Sequence, residues 1–185
     1  MTTTFTARAT AFGFAAIIAA CSTEAVPSSI ATPQTALETH SHGPQVALTP
    51  RDAALVKELK ARVNKYHSFA RAQKDGYATA ITGCMDNPPI GGMGVHFANT
   101  AILDGSVTPL TPEVLIYAPG PNGAKKFVGV EFIIPFPAWT QPTPPVLFGQ
   151  TFAANQTFQV WALHVWTTLD NPNGLFADWN PRVHC

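Results

Sequence analysis

Three ionisable side chains stand inside runs of apolar residues that have the composition of β-strands. They are His96 within Met93–Phe97, Glu131 within Val128–Ile134 and His164 within Val160–Trp166. Burying a carboxylate among valine, phenylalanine and isoleucine costs free energy, so Glu131 needs a partner. If the strands are neighbours and the side chains share a face, two imidazoles and a carboxylate could hold Zn or non-haem Fe, with positions open for water. The pattern therefore predicts a ligand or metal site at His96, Glu131 and His164.

The same residues have other interpretations. Without a metal, a glutamate–histidine pair can act as a general base and its orienting partner. The three side chains could also line a ligand site without doing chemistry. As a purely structural group, Glu131 could pair with a histidine or with basic residues, or lie on a solvated face. No metalloprotease, serine-hydrolase, phosphate-loop or Cys-x-x-Cys motif decides between these alternatives.

Trp166 is a further candidate ligand contact, because the C-terminal segment could wall a pocket in which Trp161, Trp166 and Trp179 contact a ligand. A tryptophan ring can stack on a ligand such as a sugar. Packing in the core is the commoner role of such an aromatic residue.

The start of the chain indicates export. Arg8 is the only charged residue before an apolar run, Ala9–Ala20, which is too short to span a bilayer but suits a secretory signal. Small residues directly before Cys21 resemble the lipobox of bacterial lipoproteins, in which the thiol receives a diacylglyceryl group and the peptide is cut before the cysteine. An ordinary signal with an incidental cysteine is the alternative. We expect a signal peptide over 1–20, a lipid anchor at Cys21 and a disordered tether over 21–48.

The other two cysteines suggest a cross-link. With Cys21 lipidated, Cys84 and Cys185 remain of the three cysteines. An even pair in an exported protein predicts a disulfide, whereas two free thiols are the alternative. The bond would join the last residue of the sequence to a segment near the middle.

A helix is expected to begin the single domain predicted over 49–185. Thr49 and Pro50 are typical of a helix start, and apolar residues then recur at intervals of three and four as far as Asp75–Gly76. This pattern predicts one helix from Pro50 to Lys74. Its basic residues could lie on anionic lipid, although a solvated outer face is the simpler interpretation.

A sheet is expected to follow the helix. Five apolar runs separated by Gly and Pro predict strands, at Tyr77–Thr82, Met93–Ala98, Val114–Ala118, Phe127–Ile134 and Thr157–Thr168. Their short connections, including a hairpin loop at Pro119–Gly123, favour antiparallel pairing. We therefore predict an α+β fold, with the helix packed on a mainly antiparallel sheet of four or five strands. A small β-barrel or sandwich with a helix is the alternative.

Several of these segments together resemble a family of exported bacterial proteins of unknown function. The resemblance covers about residues 50–185, and four of its motifs are GMGVHF at 92–97, VGVEF at 128–132, LHVW at 163–166 and NPNGLFADWNPRVHC at 171–185. It implies that the two histidines, the glutamate and the two cysteines belong to the pattern of the domain. It implies no activity or substrate.

These observations predict an exported lipoprotein, anchored to a membrane through Cys21, that binds a small ligand or a metal ion through the His/Glu cluster. A metal-dependent enzyme of the hydrolase or oxygenase type is one alternative, and a structural or interaction lipoprotein without a pocket is another. The 11 Lys and Arg residues balance the 11 Asp and Glu residues. Because nucleic-acid binders normally have a basic excess, no nucleic-acid partner is expected.

Overall fold

The computed structural model describes residues 1–2 and 45–185 of the chain. The predicted signal peptide, the predicted lipid anchor at Cys21 and the predicted tether therefore lie outside the described residues, apart from 1–2 and 45–48. Among the described residues, no helix has both the length and the apolar character needed to cross a membrane.

The first helix begins where the sequence predicts. Helix α1 spans Pro50–Val63, and the Thr49 side chain caps it by accepting a hydrogen bond from the Asp52 N–H. The proline occupies the first helical position, where no N–H is needed. Val56, Leu59 and Val63 form the buried side of α1. Their spacing of three and four residues places them on one face.

The prediction of one continuous helix from Pro50 to Lys74 is wrong. A 3-10 turn over Asn64–His67 follows α1, and a second helix, α2, spans Phe69–Lys74. Ser68 separates them because its backbone is extended and its side chain caps α2 by accepting from the Arg71 N–H. At the interruption, the Tyr66 carbonyl accepts a hydrogen bond from the Tyr117 hydroxyl at 2.7 Å. The helix is thus interrupted at the point where its backbone contacts the sheet.

The sheet has more strands than predicted. Residues 45–185 contain nine strands, which are β1 (Thr79–Ala80), β2 (Met85–Asn87), β3 (Gly91–Ala98), β4 (Val114–Pro119), β5 (Lys125–Pro135), β6 (Val146–Leu147), β7 (Gln150–Thr151), β8 (Ala153–Asn155) and β9 (Val160–Val165). Seven of them form one sheet in the order β1-β3-β4-β5-β9-β8, with β2 also paired to β3, while β6 and β7 pair separately. Every pairing is antiparallel. The α+β class is confirmed, and the strands missed are two or three residues long, too short to show an alternating pattern.

The two faces of the sheet have different coverings. One face packs on the apolar side of α1 and α2 and contains the largest group of buried apolar residues, among them Phe97, Leu115, Val130, Phe132 and Leu163. The intervening residues of the same strands point to the other face, because side chains alternate along a strand. That second face, which we call the site face, holds His96, Glu131 and His164.

A bulge in β5 sets which residues reach the site face. Ile116 pairs with Gly129 and Tyr117 pairs with Phe127, so Val128 is an extra residue between two paired positions. Phe127 and Val130 consequently both join the helix-covered core, although they are three positions apart. Glu131, next to Val130, then points to the opposite face.

The end of the described chain is tied to the first part of the sheet. Asn180 forms a pair of backbone hydrogen bonds with Gly92 of β3. The last residue, Cys185, forms a disulfide with Cys84, 101 positions earlier in the sequence. The predicted Cys84–Cys185 pairing is therefore confirmed.

Candidate metal centre

Three distant parts of the sequence bring the predicted site residues together. Glu131 of β5 lies directly opposite His164 of β9. His96 is on β3, with both β4 and β5 between it and β9. A flat sheet would hold β3 and β9 about 14 Å apart, three strand spacings. Because the Nε2 atoms of His96 and His164 are 3.1 Å apart, the sheet must curve towards the site face.

The distances within the cluster suit a shared metal ion. Nε2 of His96 is 3.7 Å from one carboxylate oxygen of Glu131, and Nε2 of His164 is 3.6 Å from the other. One ligand atom from each residue can be chosen so that all lie within 4.8 Å of one another. Two ligands of one zinc ion are at most about 4.2 Å apart, twice a typical Zn–N distance. The closest pairs are already inside that limit.

A second layer of polar groups holds both imidazoles in place. Nδ1 of His164 is 3.1 Å from the Asp178 carboxylate. Nδ1 of His96 is 3.0 Å from the Thr82 hydroxyl, which also accepts the His96 backbone N–H. Each imidazole is thus bound on its outer nitrogen, and its Nε2 faces the cluster. Metal-ligating histidines in proteins usually have such a partner, which fixes the tautomer and the orientation of the ring.

The protein environment separates the pKa values of the two histidines. Burial, together with the positive charge of His164, lowers the pKa of His96 to about 3. Burial also opposes the charged form of His164, but the charges of Glu131 and Asp178 outweigh it and raise the pKa of His164. His164 is consequently the more basic of the two imidazoles, and its Nε2 lies within hydrogen-bond distance of Nε2 of His96.

A cavity of about 210 Å³ adjoins the cluster. Its walls are mainly apolar, with Ile81, Met85, Met93, Ile133, Phe158 and Val160 beside Thr82, Asn155, His96, Glu131 and His164. The cluster residues are nearly fully buried, yet they form one wall of this space. A small molecule in the cavity would therefore meet the ligand atoms.

Trp166 does not belong to this wall. It is buried in a separate apolar group with Ile116 and Val128, and its indole N–H donates to the Ala177 carbonyl. Trp166 is also not among the residues that line the cavity. His164 and Trp166 both lie on the site face, but they cover different parts of it. The predicted ligand contact at Trp166 is therefore packed in an apolar group away from the cavity.

Asp178 and Thr82 are functional candidates that the sequence pattern did not reveal. Asp178 stands in a loop between two Asn-Pro steps, and Thr82 follows a two-residue strand. Neither position has periodicity or a motif that points to the cluster. The one signal that the sequence offered was an aspartate placed between Ala177 and Trp179 in the turn-rich C-terminal loop.

Comparison of the chain with protein-family models, with curated proteins and with solved structures gave no match. The resemblance to exported bacterial proteins therefore stays a prediction. The functional conclusion depends on the geometry of the site.

Proposed function

We propose that the protein binds one divalent transition-metal ion through Nε2 of His96, Nε2 of His164 and the carboxylate of Glu131. The observation that carries the proposal is the pair of inward-facing Nε2 atoms, each on an imidazole whose Nδ1 is bound to a second group. Two imidazoles and a carboxylate suit zinc or ferrous iron. Three protein ligands leave a coordination position for a small molecule.

Charge supports the same conclusion. Glu131 and Asp178 place two carboxylates in a buried site, 6% and 5% exposed. Such charges need compensation, because the low dielectric of the interior strengthens their repulsion. A divalent ion at the centre would compensate both and would let both histidines bind as neutral imidazoles.

Metal content of purified protein tests the proposal. The protein is prepared without a polyhistidine tag or chelator, and bound metals are measured by elemental analysis, followed by titration with Zn²⁺ and Fe²⁺. We expect about one ion per chain. His164→Ala and Glu131→Ala should lose it, whereas His184→Ala, which changes an exposed histidine outside the cluster, should keep it. Wild-type protein that stays metal-free in excess of both ions would overturn the proposal.

A metal-dependent enzyme is the second candidate, favoured by the cavity that reaches the ligand atoms. When bound, the metal would supply a positive centre that polarises an oxygen of a substrate. In that role His96, His164 and Glu131 hold the ion, and Asp178 orients His164. Turnover of small neutral esters by the zinc-loaded protein is the test. Equal turnover by His164→Ala would show that any activity arises elsewhere.

We also propose that the protein is exported and anchored through Cys21. The apolar run before Cys21 and the disulfide between Cys84 and Cys185 support this location, since structural disulfides persist in oxidising compartments. Mass spectrometry of the mature protein tests it, with acylation expected on Cys21. Cys21→Ser should release the protein from the membrane fraction, and an unprocessed N-terminus would contradict the proposal.

A further inference from the structure

The size of the cavity limits what can bind beside the cluster. Its volume of about 210 Å³ is larger than an apolar cavity of about 150 Å³, which accommodates benzene. A single ring with one substituent would fit inside this space. The group that enters the cavity is therefore small.

The residues that line the cavity favour a ligand with an apolar body. Six of the eleven lining residues have aliphatic, thioether or aromatic side chains. Two of them, Ile81 and Phe158, are 37% and 45% exposed. Exposed apolar side chains on the lining of a cavity indicate where an apolar ligand first meets the protein. Burial of an apolar group against this lining would supply most of the affinity.

The formal charges of the site select a neutral head group. A divalent ion with ionised Glu131 and Asp178 and two neutral imidazoles has a net charge of zero. Among the described residues that line the cavity, none is Lys or Arg, so none of them offers a cation to an anionic ligand. Adding a charged ligand would place an uncompensated charge in a largely apolar space, which costs free energy.

Asn155 adds a hydrogen-bond donor to the lining. This residue is buried, and its Oδ1 accepts the Phe158 backbone N–H at 2.9 Å. That bond fixes the amide orientation and leaves the NH₂ group as the part that can donate to a ligand. A carbonyl or hydroxyl oxygen can accept such a bond.

We propose that the cavity binds a small neutral molecule with an apolar body about the size of a benzene ring and one carbonyl or hydroxyl oxygen. The oxygen faces the metal and the apolar body contacts Met93, Ile133 and Val160. This inference rests on the proposed metal site, because the metal supplies the charge balance and the position that the oxygen takes.

Three ligands of nearly equal shape test the charge preference. Benzamide is neutral, benzoate is an anion and benzamidinium is a cation, and calorimetry measures the affinity of each for the zinc-loaded protein. We expect benzamide to bind at least tenfold more tightly than either ion. Acetamide, which keeps the amide but lacks the ring, should also bind at least tenfold more weakly than benzamide.

A pair of matched variants locates the binding. Val160→Phe fills the cavity and should weaken benzamide binding at least tenfold without changing the amount of zinc bound. Val146→Phe makes the same change at an exposed strand residue outside the cavity and should leave both unchanged. Equal affinity of the two variants would overturn the location.

The outcomes separate the two proposals. Stoichiometric zinc binding with tighter binding of benzoate, with equal binding of acetamide and benzamide, or with no binding of any probe would overturn the ligand inference and leave the metal site standing. Failure to bind zinc or iron would overturn the metal site and, with it, the ligand inference.

Discussion

The two faces of one sheet perform different tasks with neighbouring residues. On the helix-covered face, buried polar groups such as the Tyr117 and Tyr77 hydroxyls each donate to a backbone carbonyl, and the rest is apolar packing. On the site face, buried polar side chains bind one another instead, as His164 does with Asp178 and His96. Since Phe132 and Leu163 lie next to Glu131 and His164 in the strands, the core directly supports the site.

This comparison also explains how a buried ionisable cluster is tolerated. Burying Glu131 and Asp178 costs stability, which the apolar packing on the opposite face can offset. The two faces should consequently respond differently to substitution. Substitutions of core side chains on the helix-covered face should alter the free energy of unfolding, and substitutions of side chains in the His/Glu cluster should alter mainly the affinity for metal.

The largest effect is expected from the disulfide, which serves the site face. Cys84 lies between Thr82 and Met85 of the cavity, and Cys185 ends the segment that carries Asp178. Replacing both cysteines by alanine should lower the free energy of unfolding by about 4–5 kcal/mol, the loop-closure value for a ring of about 100 residues. Urea denaturation measures this change. Metal affinity should fall as well, and unchanged stability and affinity would show that the bond constrains neither segment.

Phe132→Ala breaks the helix-covered face directly behind the cluster. The ring is 1% exposed, and its removal should cost about 3–5 kcal/mol from the lost burial and the cavity left behind. The folded fraction should still bind one metal ion. Urea denaturation with metal analysis of the folded protein measures both quantities. Loss of metal from protein that is still folded would show that metal binding on the site face depends on packing of the helix-covered face.

Glu113 offers a buried carboxylate that has no imidazole partner in the cluster. Burial raises the pKa of Glu113 from its ordinary value of 4.5 to about 8, and one of its oxygens accepts the Ile133 N–H. The folded state therefore holds a proton that the unfolded state has lost between these values. Stability from this group is fully present below pH 4.5 and declines, on the order of a few kcal/mol, as pH rises to about 8.

Glu113→Gln keeps an oxygen acceptor for the Ile133 N–H and removes the titration. The variant should flatten this part of the stability profile between pH 4.5 and 8, measured by urea denaturation. Glu58→Gln, on the exposed side of α1, is the matched control and should leave the profile unchanged. A variant profile with the wild-type slope would rule out Glu113 as its source.

Asp178→Asn should weaken metal binding on the site face without disturbing the apolar core on the other face. An amide cannot supply the charge that stabilises His164, so metal affinity should fall about 10–100-fold. Asp170→Asn is the matched control, since that side chain is 94% exposed, and it should change affinity little. Competition with a zinc chelator measures both. Equal zinc affinities of the two variants would mean that Asp178 does not orient the metal ligand His164.

The smallest effect on the free energy of unfolding is expected at the start of α1. Thr49→Ala removes the cap of α1 and should cost about 1 kcal/mol in the free energy of unfolding. The zinc affinity should not change, because α1 packs on the face opposite the cluster. Urea denaturation and zinc titration test both parts, and weaker zinc binding would contradict the separation of the faces.

The sequence by itself determined the local features of this protein. Thr49 and Pro50 start a helix through capping chemistry, and alternation or apolar runs locate β3, β4, β5 and β9, because both signals depend on neighbouring residues. The free-energy cost of burying a carboxylate pointed to Glu131, and its partners could be narrowed to the two histidines in similar runs. The cysteine pairing followed from their number once Cys21 was set aside.

Only the tertiary structure decided how these features combine. Curvature of the sheet brings His96 to His164 across two intervening strands, and the bulge at Val128 lets Glu131 share their face. The path of the C-terminal loop brings Asp178 to the cluster and leaves Trp166 in the core. These outcomes depend on packing between residues that are far apart in the chain, and neither periodicity nor spacing records such contacts.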